Sequence, residues 1–152
     1  MRPITVFGQH SGPATECVLF PNGRVAASAG EDGTIHLWDL EKKTRLKTFE
    51  PQINPIHTLA ISADGKTFVI GGKPTLKTLG LERIYLLDTA TGELKRSLQQ
   101  HKTTIESIAL SADGGTVAAG ARYEDVQISA TTGQLRFSLP GGRRNEWIAL
   151  SP

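Results

Sequence analysis

A chain of 152 residues with 38% hydrophobic and 21% charged residues is long enough for one domain with a real core. Its 17 Lys and Arg against 15 Asp and Glu leave a net charge of +2, which gives no strong pull towards nucleic acid or anionic membrane. The single Cys17 excludes an intramolecular disulfide framework and a multi-cysteine zinc site. No apolar run reaches the roughly 18 residues of a membrane helix, and Met1-Arg2-Pro3 opens no signal-like stretch, so a soluble cytoplasmic chain is expected.

The elements predicted along the chain are all strands. Ile4–Phe7 reads as a lone strand. Cys17 and Leu19 then alternate with polar neighbours, which is the period-two burial of a strand. Asn22-Gly23 supplies a turn, and strands follow at Arg24–Ser28, Thr34–Asp39 and Arg45–Phe49. The same order returns with Leu59 and Ile61, the turn Asp64-Gly65, and strands at Thr67–Gly71, Arg83–Asp88 and Leu94–Leu98. It returns again with Ile108 and Leu110, Asp113-Gly114, Thr116–Gly120, Asp125–Ser129 and Leu135–Leu139. Phe20, Ser62, Ser111 and Ser151 mark one position at spacings of 42, 49 and 40 residues. Helical propensity at His101–Leu110 is overruled by its alignment with strands in the other units.

Four strands in about 40–45 residues is the arithmetic of a propeller blade. The stretch Ala27-Ser28-Ala29-Gly30-Glu31-Asp32-Gly33-Thr34-Ile35-His36-Leu37-Trp38-Asp39 closely resembles a WD40 repeat, down to its terminal Trp-Asp pair. The second unit has Leu87-Asp88 there, and the third has Ile128-Ser129 or Ser129-Ala130. The resemblance implies an all-β fold of WD40-like beta-propeller blades, each a four-stranded antiparallel sheet, in an incomplete propeller. One domain over 1–152 is expected, with units near 11–50, 51–100 and 101–140 and a lone strand at each end. Trp147–Pro152 reads as the opening of a further unit. Three blades fall short of the roughly four to eight of a closed ring. The expected explanation is a piece of a longer propeller protein, and the competing one is a chain that closes its ring by assembly.

The resemblance also implies a structural hydrogen-bond set in the first blade, made of His10, Ser28, Asp32 and Trp38. Asp32 accepts from His10, His10 meets the Ser28 hydroxyl, and the Trp38 indole N–H needs an acceptor when buried. The second unit puts Gln52 and Ile70 at the His10 and Ser28 positions. The third keeps His101 but has Ala119 and Tyr123 for Ser28 and Asp32, so these two blades are expected to rely on apolar packing. A Ser/His/Asp hydrolase reading finds no nucleophile elbow around Ser28. Gly65-Lys66-Thr67 is a hairpin turn and lacks the first glycine of a phosphate loop. His10, His36, His57 and His101 show no metal-ligand spacing, and neither a metal nor a cofactor is expected. Lys42, Lys43, Arg45 and Lys47 read as a solvated turn and edge strand. Cys17 aligns with Leu59 and Ile108, which predicts a buried, unreactive thiol.

The second unit is seven residues longer than the first, and the excess falls at 73–82. This Leu- and Lys-bearing loop is a candidate contact surface. The function implied is a non-catalytic scaffold for a protein or peptide partner. The candidate contacts are Lys73, Leu76, Leu79, Arg122, Tyr123, Arg143 and Arg144. Further blades, from a longer chain or an oligomer, would be partners as well. An enzyme or small-ligand binder using His57, Glu106 and Glu146, which share one repeat position with Thr15, is the alternative. A sensory or targeting piece of a multidomain protein is another.

Overall fold

The computed structural model describes residues 8–74 and 82–140 of the chain. The strands expected at Ile4–Phe7 and Trp147–Pro152, and the loop positions Leu76 and Leu79, lie outside the described residues, as do Arg143 and Arg144. Among the described residues there are twelve strands and no helix. The first blade holds β1 (Ala14–Leu19), β2 (Val25–Gly30), β3 (Ile35–Asp39) and β4 (Thr44–Phe49). The second holds β5 (Ile53–Ile61), β6 (Thr67–Pro74), β7 (Glu82–Asp88) and β8 (Leu94–His101). The third holds β9 (Ile105–Leu110), β10 (Thr116–Ala121), β11 (Val126–Ala130) and β12 (Leu135–Leu139). Each blade is a separate four-stranded antiparallel sheet in simple chain order. The hairpin glycines Gly23, Gly65 and Gly114 sit at φ 67, 71 and 69, a region that costs a side chain steric energy and glycine none.

The registers superimpose. Cys17 faces Ser28, Leu59 faces Ile70, and Ile108 faces Ala119. Trp38 faces Ala26, Leu87 faces Phe68, and Ser129 faces Val117. Ser129-Ala130 therefore stands where the first blade has Trp38-Asp39, which resolves the one-residue ambiguity of the third repeat.

The blades stack face to face because alternate residues of each strand point to opposite neighbours. Ala27, Ala29, Ile35, Leu37 and Phe49 of the first blade cluster with Leu59, Phe68, Ile70, Tyr85 and Leu87 of the second. Val69, Ile84, Leu86 and Leu98, on the other face of the second blade, cluster with Ile105, Ile108, Val117 and Ala119 of the third. Alanine in β2 lets the sheets approach where the larger Phe68 and Ile70 fill the opposing face, and alanine in β10 does the same opposite Val69 and Ile84. The fourth strands lie outermost, so Leu46, Leu94, Leu135 and Phe137 remain exposed.

The opposite face of the first blade has no blade against it among the described residues. Ala14, Cys17, Ala26, Ser28, Trp38 and Leu40 line a broad apolar hollow of about 550 Å³ there. This corrects the expectation for Cys17, which is exposed. Its alignment with Leu59 and Ile108 is right, but a blade covers those two positions and none among the described residues covers Cys17. Desolvation, then the nearby Glu16 carboxylate, push the thiol pKa up, so it is accessible without being activated.

Candidate functional site

The first blade assembles its polar set at the loop end of β2 and β3. Trp38 Nε1 donates to Ser28 Oγ at 2.8 Å, and Ser28 Oγ lies 2.7 Å from His10 Nε2. His10 Nδ1 is 3.1 Å from both oxygens of Asp32. These partners fix the proton order. The indole gives its N–H to Ser28, the serine hydroxyl donates to Nε2, and Nδ1–H donates to the carboxylate. Asp32 also accepts from the Thr34 hydroxyl at 2.8 Å, the Thr34 N–H at 3.0 Å and the Ser11 N–H at 2.9 Å. Desolvation raises its pKa, but the bonds from Thr34, Ser11 and His10 together outweigh that and hold the carboxyl well below the usual range. Ser28 Oγ thus donates to His10 while accepting the buried Trp38 indole N–H, which occupies a lone pair that a nucleophile needs free.

Sequence spacing gives no sign that His36 joins this group. Strand β3 aims it at the same face as Trp38, and its ring stacks on His10 with centroids 4.3 Å apart. His36 Nδ1 lies 2.9 Å from Thr48 Oγ1, and Nε2 lies 3.3 Å from Thr34 Oγ1. Burial, then the neighbouring His10, lower the His36 pKa.

The other two blades differ from each other. In the second, Ile70 replaces the serine and is fully buried in the first interblade cluster. Apolar packing takes over there. In the third, the expectation of apolar packing alone is corrected. Glu124 Oε2 lies 3.2 Å from His101 Nδ1, and Glu124 Oε1 accepts the Lys102 N–H at 2.9 Å, the same two bonds Asp32 makes to His10 and Ser11. The carboxylate has moved one residue along the turn, and its longer side chain makes up the distance. With Ala119 in place of the serine, His101 Nε2 is buried without a hydrogen-bond partner among the described residues. Desolvation lowers the His101 pKa, against the opposing pull of Glu124.

Three of the candidate contact residues are brought together. Lys73, Arg122 and Tyr123 line one groove of about 290 Å³ between the second and third blades, with Lys102, Thr104 and the buried Glu82. Tyr123 is 68% exposed and sits at φ 60, a backbone region unfavourable for a bulky residue. Arg122 Nε donates to Glu106 Oε1 at 2.7 Å, and the Thr103 hydroxyl donates to the Arg122 carbonyl. Lys102, Thr103 and Glu82 escaped the sequence reading because only the meeting of two blades places them beside Tyr123.

Each described residue of the ligand-binding alternative already has a protein partner. His57 Nε2 pairs with Glu82 Oε1 at 3.2 Å, Glu106 pairs with Arg122, and the Thr15 hydroxyl donates to the Ile56 carbonyl at 2.9 Å. Glu146 lies outside the described residues.

Four-stranded blades stacked radially, with the first carrying a His–Ser–Asp–Trp set, define a stretch of WD40-type propeller. The family model described as WD domain, G-beta repeat, matches residues 1–39 and 92–125. The chain is 28% identical over 143 residues to the guanine nucleotide-binding protein subunit beta of Arabidopsis thaliana, covering 89% of this chain and 36% of that protein. It is 34% identical over 111 residues to small ribosomal subunit protein RACK1 of Candida albicans, covering 73% of this chain and 35% of that protein. The RACK1z protein of Oryza sativa is 29% identical over 132 residues, 87% of this chain and 38% of that protein. The chain belongs to the WD40-repeat family. It spans a little over a third of the length of these curated relatives.

Proposed function

We propose that this chain is a non-catalytic interaction scaffold that engages a protein or peptide partner at the groove between its second and third blades. The observation that carries the reading is Tyr123. It is an exposed aromatic on an unfavourable backbone, flanked by Arg122 and facing Lys73. Aromatic and Arg side chains dominate the energetics of protein interfaces. Strain of this kind persists only where the surroundings enforce it. The matched relatives carry names that make them subunits of assemblies, a guanine nucleotide-binding protein and a small ribosomal subunit. Those names support assembly as the mode of action, and a ribosomal relative supports a cytoplasmic setting. The polar trio of the first blade is committed to structure, which favours a scaffold over an enzyme.

The domain reading belongs to the same proposal. Residues 1–152 form part of one propeller, and the hollow beside Trp38 and Cys17 receives the face of another blade. The short span relative to the matched proteins supports this.

The test uses the doubly substituted Arg122→Ala, Tyr123→Ala protein beside the parent, with partners captured from cells and then measured as purified pairs. The expected result is a melting temperature within about 2 °C of the parent, since exposed substitutions change stability little, and a loss of at least tenfold in affinity for the purified partner. Unchanged affinity in the double variant discards the groove as the contact surface.

A further inference from the structure

We propose that the segment received by the groove between the second and third blades is an acidic peptide, whose carboxylates pair with Lys73 and Lys102 beside an apolar side chain laid on Tyr123. The inference rests on the groove being the contact surface and adds the chemistry of its occupant. Four charged side chains line the groove: Lys73, Glu82, Lys102 and Arg122. Glu82 is 1% exposed; its Oε2 accepts the Ile105 N–H at 2.6 Å, and its Oε1 lies 3.2 Å from His57 Nε2. Its charge is thus matched inside the blades. Arg122 gives its Nε to Glu106 Oε1 at 2.7 Å. Glu124, next to Tyr123, turns inward to His101 and the Lys102 N–H, and Asp125 is not a lining residue and has a partner of its own. Lys73 and Lys102 remain. Both are exposed, and neither ammonium has a hydrogen-bond or ion-pair partner among the described residues.

The groove therefore presents surplus positive charge around an exposed aromatic ring, with its carboxylates already engaged. An exposed ion pair adds little affinity alone, so the two ammoniums select and steer the partner while Tyr123 supplies the contact area. Carboxylate fits better than the other anions. A phosphate is best held by a free guanidinium fork, and Arg122, the one guanidinium in the lining, is engaged by Glu106 through its Nε. A nucleic-acid strand needs a track of cations along its backbone. Two unpaired ammoniums in a groove of about 290 Å³, on a chain of net charge +2, fall short of that.

The experiment pans a phage-displayed library of random peptides on the full chain and, in parallel, on the Arg122→Ala, Tyr123→Ala protein. Peptides recovered by the parent alone are those that need the groove. They are expected to be rich in Asp and Glu and negative in net charge. A groove-dependent set that is neutral or basic overturns the acidic partner and leaves the groove standing, whereas the absence of any groove-dependent peptide overturns both readings. The most enriched peptide is then synthesised and measured against two variants that each lose two exposed lysines, Lys73→Gln with Lys102→Gln, and Lys42→Gln with Lys43→Gln in the first blade. Exposed substitutions of this kind leave the melting temperature nearly unchanged. The expected loss of affinity is about fivefold or more in the first variant and within about twofold in the second, with the gap closing as salt screens the charges. Equal effects in the two variants overturn the proposal, because the attraction is then to the net charge of the chain and not to the groove.

Discussion

Ser28 carries more of the first blade than its size suggests, because one oxygen serves two buried groups. Removing it takes the Ser28 bond from the Trp38 N–H and from the His10 Nε2 together, and losing a buried polar partner costs about 1–3 kcal/mol. Ser28→Ala is therefore expected to lower the unfolding free energy by about 2 kcal/mol or more, read as a shift of the urea midpoint at constant slope. A loss below about 0.5 kcal/mol contradicts the shared role. The histidines give a second prediction. Burial lowers the folded pKa of both His36 and His101, so the unfolded chain binds the proton more readily. Their contribution is complete above the unfolded value of about 6.5 and is lost as pH falls below it. Asp32, also lowered, adds the same sense of loss below about 3.9. Urea midpoints at pH 7.5 and 5.5 are expected to fall with acidification, and to fall less in His36→Tyr. An equal drop in both proteins removes His36 from the explanation.

At the scale of the element, the third blade is a partial copy of the first whose deficits are specific. Glu124 replaces Asp32 from one residue further on, while Ala119 leaves His101 Nε2 unpartnered. Ala119→Ser returns the hydroxyl that the first blade uses, with the same strand register beneath it. The expected gain is about 1 kcal/mol, the net worth of one hydrogen bond, measured by the same denaturation. A loss of stability shows that the extra oxygen crowds the interblade core instead. These elements also mark how far the sequence can be read. Strand order and hairpin turns were legible because alternation and repeated Asn-Gly or Asp-Gly turns are local signals, whereas the first blade's polar set was expected only through the WD40 resemblance. Glu124 was not, since a carboxylate displaced by one residue along a turn looks like a missing one until distances are known. Nor was the stacking of His36 on His10, which depends on two strands placing side chains on one face. The exposure of Cys17 was hidden for a broader reason. Alignment says which face a residue occupies, and only the tertiary structure says whether anything covers that face.

The molecule as a whole is a one-dimensional stack, in which each blade is stabilised by its neighbours. The first interblade cluster is built on Phe68 and Ile70 and the second on Ile105 and Val117. The outer face of the first blade, with Trp38 and Cys17, is the surface such a stack uses to continue. Its counterparts on the next blades, Leu59 and Ile108, are 3% and 8% exposed because a sheet lies over them. One measurement tests this radial arrangement directly: the native-state alkylation rate of a single thiol at each of the three equivalent positions. The comparison sets the parent Cys17 against Leu59→Cys and Ile108→Cys, each in a Cys17→Ser background. The account predicts that Cys17 reacts at a rate near that of the unfolded chain, allowing for its raised pKa, while the other two react at least a hundredfold more slowly. Equal rates at all three positions in the 152-residue chain alone, verified as a monomer, would contradict it.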